Sequence, residues 1–144
     1  MAESVASLSP QDAVITLMVM ASASDGSITQ GELRTIGRVV RSYPLFDEAD
    51  EDGLVGSAER AGELMSSDGG LHKVLSAAQA ALPNHLAETA YCAVVDVVTA
   101  DEALQMEEIR VLELIRDALG VSDEGAAAIE HAARARHMTL DGEA

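Results

Sequence analysis

Seven segments with the apolar spacing of helices follow one another between residues 9 and 137, separated by residues that start or stop helices. Ser9 precedes a proline, as at many helix starts, and Thr29 with Glu32 forms the pattern of a capping box. Gly120 follows the sixth segment, where a glycine commonly ends a helix. No linker is long enough to divide the chain. The pattern predicts an all-α fold, a compact bundle of about seven helices.

The core of this bundle must be built almost without aromatic side chains. Apolar residues make up 48% of the 144 residues, but aromatic residues only 2%. Ala, Leu and Met favour helices, whereas sheet cores usually contain more aromatic residues. We therefore expect one helical domain over residues 9–137, with flexible termini at residues 1–8 and 138–144. The predicted helices lie near residues 10–25, 30–43, 51–66, 71–82, 84–100, 105–119 and 123–136.

The fifth predicted helix contains the run TAYCAVVDVVTA and is apolar on nearly all sides. Such a helix belongs at the centre of a bundle. Asp96 interrupts the run and either faces outward at one edge or is buried with partners. We expect the outward position, because unpaired buried carboxylates are rare. Cys92 is the only cysteine, so we expect a small buried thiol and no internal disulfide.

The balance of charge limits the classes of partner. Nine basic and 25 acidic residues give a formal charge of −16, which repels phosphate backbones and anionic lipid headgroups. We expect no nucleic-acid partner and no membrane insertion, since the longest nearly uncharged stretch, residues 89–100, is too short to span a bilayer. Cations or basic protein surfaces are favoured instead, unless the charge only keeps an alanine-rich bundle soluble. The N-terminus lacks the basic region of a secretory signal, so we expect a cytoplasmic protein.

Two parts of the chain repeat with a shift of 76 residues. In both, an apolar helix leads to an aspartate, and a glutamate follows at the start of a second helix. The matched polar residues are Asp25 with Asp101, Glu32 with Glu108, and Arg34 with Arg110. We name residues 23–32 the first corner and residues 99–108 the second corner. The repeat predicts two pseudo-symmetric helical hairpins, with helices one, two, five and six as a core and the other three packed around it.

The first corner resembles half of a calcium-binding EF-hand loop, which needs oxygen ligands at loop positions 1, 3, 5 and 12. Asp25 and Glu32 fit positions 5 and 12. Positions 1 and 3 would be Ala21 and Ala23, which carry no ligand oxygen. Because calcium takes about six to eight oxygens, one corner alone is not an EF-hand.

Two incomplete corners can share one ion if the hairpins pack about a pseudo-twofold axis. The candidate ligands are then Asp25, Glu32, Asp101 and Glu108, with Glu102 and Glu107 as further acidic groups. Oxygen-only ligands favour Ca²⁺, Mg²⁺ or Mn²⁺ over zinc. The alternative is that these carboxylates only cap helix ends, with no ion involved. The corner arginines could also neutralise them locally.

No motif in the chain predicts catalysis or an organic cofactor. The sequence has no glycine-rich phosphate loop, no defensible nucleophile–base spacing and no Cys/His cluster. Its scattered histidines are expected at the surface: His72, His85, His131 and His137. A metal-dependent hydrolase that uses the acidic corners is the less favoured alternative to a non-catalytic protein.

The corners resemble those of the tellurite-resistance TerB-like family, whose pattern is A-x-D-G-x-[IL]-x-x-x-E. Here they read ASDGSITQGE and TADEALQMEE, the second with Glu102 in place of Gly. The likeness extends over about residues 9–137 through the segments RSYPLFDEADEDG, ALPNHLAETAYCAVVDVVTAD and ALGVSDEGAAAI. The resemblance implies an all-helical domain linked to tellurite resistance and stress response. It also implies a divalent metal at the four corner carboxylates.

The predicted function is therefore a non-catalytic stress-response binding domain with protein partners and a divalent cation. A purely structural or protein-interaction scaffold without metal is the main alternative.

Overall fold

The computed structural model of the chain describes residues 8–22, 28–46, 51–100 and 106–141, without the side chains of residues 51, 52 and 106–108. Within these ranges the chain forms seven α-helices and no β-strand, which confirms the all-α prediction. The helices are α1 (Pro10–Ser22), α2 (Gln30–Ser42), α3 (Glu51–Ser66), α4 (Gly70–Ala81), α5 (Ala87–Ala100), α6 (Met106–Leu119) and α7 (Asp123–Arg136). Short 3₁₀ turns stand at Pro44–Phe46 and Asn84–Leu86.

The predicted caps hold the starts of three helices. Ser9 Oγ accepts a 3.1 Å hydrogen bond from the backbone N–H of Asp12 in α1. Before α2, Thr29 Oγ1 accepts from the N–H of Glu32, and Glu32 Oε1 accepts from the N–H of Thr29. Ser122, which precedes the seventh predicted helix as a typical cap residue, caps α7 in the same way. These bonds satisfy N–H groups that have no partner inside the helix, which is why the sequence located these helix starts well.

The predicted start of the fifth helix is wrong. Asn84 follows Pro83 and is a residue type that commonly caps helices, which predicts that it caps the fifth helix. Instead, Asn84–Leu86 forms a 3₁₀ turn, and α5 begins at Ala87. The extended Pro83 precedes this turn and makes no side-chain cap. The backbone bond from Leu86 N–H to the Pro83 carbonyl, 3.0 Å long, closes the turn instead. The start of α5 is therefore preceded by a turn with a backbone hydrogen bond, and not by a side-chain cap.

Helices α1 and α5 form the centre of the bundle. Residues 13–21 of α1 are all buried, and so are most residues of α5 from Ala90 to Val98. The two helices pack against each other, α1 also contacts α3 and α4, and α5 also contacts α7. The central position of α5 is confirmed. The helical spacing of Val14, Leu17, Met18 and Ala21 predicts a single apolar face for α1. Ile15 and Val19, on its other side, are buried as well.

The two hairpins, α1–α2 and α5–α6, contact each other reciprocally. Helix α2 packs against α5, and α6 packs against α1. Exchanging the hairpins therefore leaves this set of contacts unchanged, which is what pseudo-symmetry requires. A twofold axis itself stays a prediction.

The helical spacing of apolar residues predicts that three further residues face the core, but all three are exposed. Val55, Leu71 and Ile109 each expose 38–40% of their surface. Leu54 on α3, expected on the same face as Val55, is buried as predicted, and Val111 on α6 is buried too. These residues lie on α3, α4 and α6, and a helix on the outside of a bundle buries only one stripe of its surface. Within the described ranges, no helix is long and apolar enough to cross a membrane.

Candidate functional site

The acidic corners lie mostly outside the described part of the chain. This is true of Asp25 and Asp101, and of the side chain of Glu108. Glu32 is described, and its Oε1 accepts a 2.8 Å hydrogen bond from the N–H of Thr29. The capping interpretation is therefore correct for Glu32. A carboxylate has about four acceptor sites, so one hydrogen bond leaves capacity for an ion.

The helices that enter the corners lie side by side. Helix α1 ends at Ser22 and α5 ends at Ala100, each next to an acidic corner. Helix α1 packs against α5. Each corner therefore follows one of the two central helices along the chain. Among the described residues, no group of three or more His, Cys, Asp or Glu side chains is placed to hold a metal ion.

A second polar site surrounds Asp96, inside the apolar run of α5. The outward orientation expected for Asp96 is wrong, because this residue is only 7% exposed. Tyr43 Oη donates a 2.6 Å hydrogen bond to Asp96 Oδ2. Arg136 Nη2 donates a 2.5 Å bond to Oδ1, and His137 Nε2 lies 3.3 Å from the same oxygen. The carboxylate is buried because three side chains from other parts of the chain satisfy it.

The surroundings of Asp96 fix the protonation of its neighbours. Burial, and then the hydrogen bond to Asp96, raise the pKa of Tyr43 well above its ordinary value. The hydrogen bond to Asp96 also raises the pKa of Arg136. Burial raises the pKa of the nearby Cys92 thiol. At neutral pH, Tyr43 is therefore a neutral donor, Arg136 is a cation and Cys92 is a thiol rather than a reactive thiolate.

These residues line an open groove of about 810 Å³ between α2, α5 and the end of α7. Arg38 and Arg136 bring two guanidinium groups to it, and Asp96 is the only carboxylate among the described residues that line it. The groove also has many hydroxyl groups, from Thr35, Ser42, Tyr43, Thr89, Thr99 and Thr139. We name it the Arg38–Arg136 groove.

A second pair of contacts holds α7 along α5. Tyr91 Oη donates a 2.6 Å hydrogen bond to Glu130 Oε2, and Tyr91 is 1% exposed. Burial, and then this bond, raise the pKa of Tyr91. At the start of α7, a Cβ on Gly125 would lie 2.6 Å from Glu88 Oε2, so the two helices approach closely there. Helix α7 is therefore fixed to α5 at several points along its length.

The family model described as tellurite resistance protein TerB matches residues 11–131 of the chain. The chain belongs to the TerB family. The resemblance seen in the sequence is thereby confirmed. Neither the curated proteins nor the solved structures give a significant match. The TerB match includes both corners and Asp96, but it ends before Arg136 and His137, two of the three partners of Asp96.

The sequence predicted only part of the site around Asp96. Asp96 was recognisable as an acidic residue inside an apolar helix, but its partners were not. Tyr43 and Arg136 are 53 and 40 residues away from it along the chain, and no periodicity connects them. His137 was expected as a surface residue at a fraying end, and instead its side chain is 28% exposed and contacts Asp96.

Proposed function

We propose that this TerB domain is a non-catalytic, cytoplasmic binding domain of a tellurite-linked stress response. It binds one divalent cation between its acidic corners and contacts a protein partner through its acidic surface. The observation that supports this most directly is the packing of α1 against α5, with the reciprocal contacts of α2 and α6. These helices enter and leave the two corners, so their packing supports a site that both corners share.

The four residues that would hold the ion are Asp25, Glu32, Asp101 and Glu108. Four carboxylates close together repel one another, and a hard cation with oxygen ligands removes that repulsion. The ion would supply a cross-link between the two hairpins and local neutralisation. It would perform no reaction in this proposal.

Two further observations support a binding role. The raised pKa of Cys92 disfavours a thiolate nucleophile, and that thiol is the only one in the chain. The formal charge of −16 favours a partner with a basic surface, because complementary charge accelerates and orients association. We therefore expect the partner to be a basic protein surface.

A scaffold without metal is the second candidate, and the capping bond of Glu32 favours it. Glu32→Gln separates the two, because glutamine also completes a capping box. It should leave the stability of the metal-free protein unchanged. If Glu32 also binds the ion, the same substitution weakens binding of Ca²⁺ or Mn²⁺ by about tenfold or more, in line with the loss of one charged interaction. An unchanged ion affinity would leave Glu32 as a cap only.

The direct test is calorimetric titration of metal-free protein with Ca²⁺, Mg²⁺ and Mn²⁺. We expect one ion per chain and a gain of about 2.7 kcal/mol in the free energy of unfolding at a hundredfold excess of ion over its dissociation constant. Asp25→Ala and Asp101→Ala should each abolish binding. The matched control is Asp68→Ala with Asp117→Ala, which removes two exposed carboxylates outside the corners. Absence of binding with all three ions would leave the scaffold.

A further inference from the structure

We propose that the Arg38–Arg136 groove binds a small organic phosphate. The groove lies beside α5, and its described lining residues include Thr99 and Ala100 of the second corner but none of the four corner carboxylates. The proposed ligand and the proposed corner cation therefore depend on different charged side chains, and either proposal can fail without the other.

The charge in the groove is opposite to the charge of the chain. The protein has 25 acidic residues, yet the single carboxylate among the described lining residues, Asp96, already accepts bonds from Tyr43 and Arg136. Arg136 uses Nη2 for this bond, and about half of its side chain stays exposed. A guanidinium has five N–H donors, so Arg136 has donors left for a ligand.

Arg38 faces the groove from α2. It is exposed and donates a weak 3.4 Å bond to Thr35 Oγ1, and it pairs with no carboxylate among the described residues. Two guanidinium groups that face one groove are suited to a phosphate, which each can bind through two parallel hydrogen bonds. A phosphate carries a second negative charge that a carboxylate lacks, so it gains more from two guanidinium groups.

The rest of the groove fits an organic group. Its volume of about 810 Å³ falls within the range of about 300–1,000 Å³ that is common for small-molecule sites. Inorganic phosphate would fill little of it. The hydroxyl groups of Thr89 and Thr99 can donate and accept hydrogen bonds, which suits a ligand with hydroxyl groups of its own. Thr35 and Ser42 already donate to the backbone carbonyls of Gly31 and Arg38, so their hydroxyl oxygens can only accept from a ligand. The Cys92 thiol stays uncharged and so does not repel an anion.

The test is a titration of metal-free protein with glycerol phosphate, inorganic phosphate and glycerol, followed by calorimetry and by amide shifts in NMR spectra. We expect glycerol phosphate to bind more tightly than inorganic phosphate and glycerol not to bind. Arg38→Gln should weaken the binding of glycerol phosphate by about tenfold or more, because a charge-assisted hydrogen bond is lost. Arg134→Gln removes the same charge from an exposed site on α7 that is not among the described lining residues, and should leave the affinity within about twofold.

Asp96→Asn should change the affinity in the opposite direction. It keeps the shape of the side chain but removes the charge that Arg136 compensates, so glycerol phosphate should bind a few times more tightly. If Asp96 only holds α7 against α5, Asp96→Asn will leave the affinity for glycerol phosphate unchanged. Should this variant fail to fold, Arg38→Gln still decides, since Arg38 makes no bond to Asp96.

The proposal is overturned if neither phosphate binds, or if Arg134→Gln weakens binding as much as Arg38→Gln does. Equal affinity for inorganic phosphate and glycerol phosphate would overturn the proposal that the ligand contains an organic group. Because the protein is metal-free in every titration, these results do not depend on the corner cation.

Discussion

Tyr43 Oη lies 2.6 Å from Asp96 Oδ2 and joins the end of α2 to the buried middle of α5. The other oxygen of the same carboxylate holds Arg136 at the end of α7. One side chain therefore connects three helical elements of the TerB domain. Because a buried polar group without a partner is costly, each of these residues depends on the others.

The Tyr43–Asp96 bond should make a measurable contribution to stability. We expect Tyr43→Phe to lower the free energy of unfolding by about 1.5–3 kcal/mol, the usual range for a hydrogen bond to a charged group. Asp96→Asn should cost about 1–3 kcal/mol, and the double variant should cost less than the sum of the two. Urea unfolding of the four proteins measures this. Asp117→Asn, on the exposed side of α6, is the control and should stay within about 0.5 kcal/mol of the wild type. Strictly additive effects would show that the two groups do not interact.

The free energy of unfolding should fall in alkaline solution by more than the ionisation of exposed groups alone would cause. The pKa values of Tyr43 and Tyr91 are raised, so the folded protein keeps two protons that the unfolded chain releases above about pH 10. Their stabilisation is complete below that pH and is lost as the pH rises, by about 1.4 kcal/mol per pH unit for each tyrosine. Cys92, whose pKa is also raised, starts the decline near pH 9.

Guanidinium unfolding between pH 8 and 11 measures this decline, with tyrosinate absorbance recorded in the folded protein. Tyr43→Phe and Tyr91→Phe should each remove about 1.4 kcal/mol per pH unit from the slope above pH 10, and Cys92 contributes the remainder. Ionisation of the tyrosines at their ordinary pKa without any loss of stability would refute the burial argument.

Substitution by alanine should change stability in opposite directions at two glycines, Gly70 at the start of α4 and Gly56 within α3. A Cβ at Gly70 would overlap the backbone carbonyl oxygens of Leu64 and Met65, so Gly70→Ala should destabilise the domain by about 1–3 kcal/mol. Gly56, within α3, has only the end of the Arg60 side chain near it, at 3.5 Å. Gly56→Ala should stabilise α3 by about 0.5–1 kcal/mol through helix propensity. Thermal unfolding of both variants decides this, and a loss of stability from both would contradict it.

The capping box of α2 should be separable from ion binding. Thr29→Ala removes the oxygen that accepts from the N–H of Glu32, and should cost about 1 kcal/mol in metal-free protein. Thr29→Ser keeps that oxygen and serves as the control, with an effect of a few tenths of a kcal/mol. Equal losses from both variants would mean that the threonine methyl group, rather than the cap, stabilises the start of α2.

Local signals located most of the fold. The caps at Ser9, Thr29 and Ser122 and the glycine at residue 120 act within a few residues, so the helices that they bound could be predicted closely. The start of α5 was missed because the backbone turn after Pro83 needs no characteristic side chain. The burial of both sides of α1 was missed because it depends on how many helices surround it, which periodicity does not report.

The Asp96 site shows more clearly which features sequence patterns do not predict. Its aspartate was visible in the sequence, but whether a carboxylate is buried depends on partners that only the fold brings to it. Those partners stand at the end of α2 and at the end of α7, where short-range patterns describe helix stops rather than sites. Glu32 shows the reverse situation, since its capping role follows from a spacing of three residues and was predicted correctly.

A crystal of the protein soaked in Mn²⁺ and measured for anomalous scattering tests the shared cation site most directly. We predict one strong peak per chain, with oxygen ligands from both the first corner and the second, Asp25 and Asp101 among them. Two separate peaks, one at each corner, or no peak near either aspartate would contradict the account.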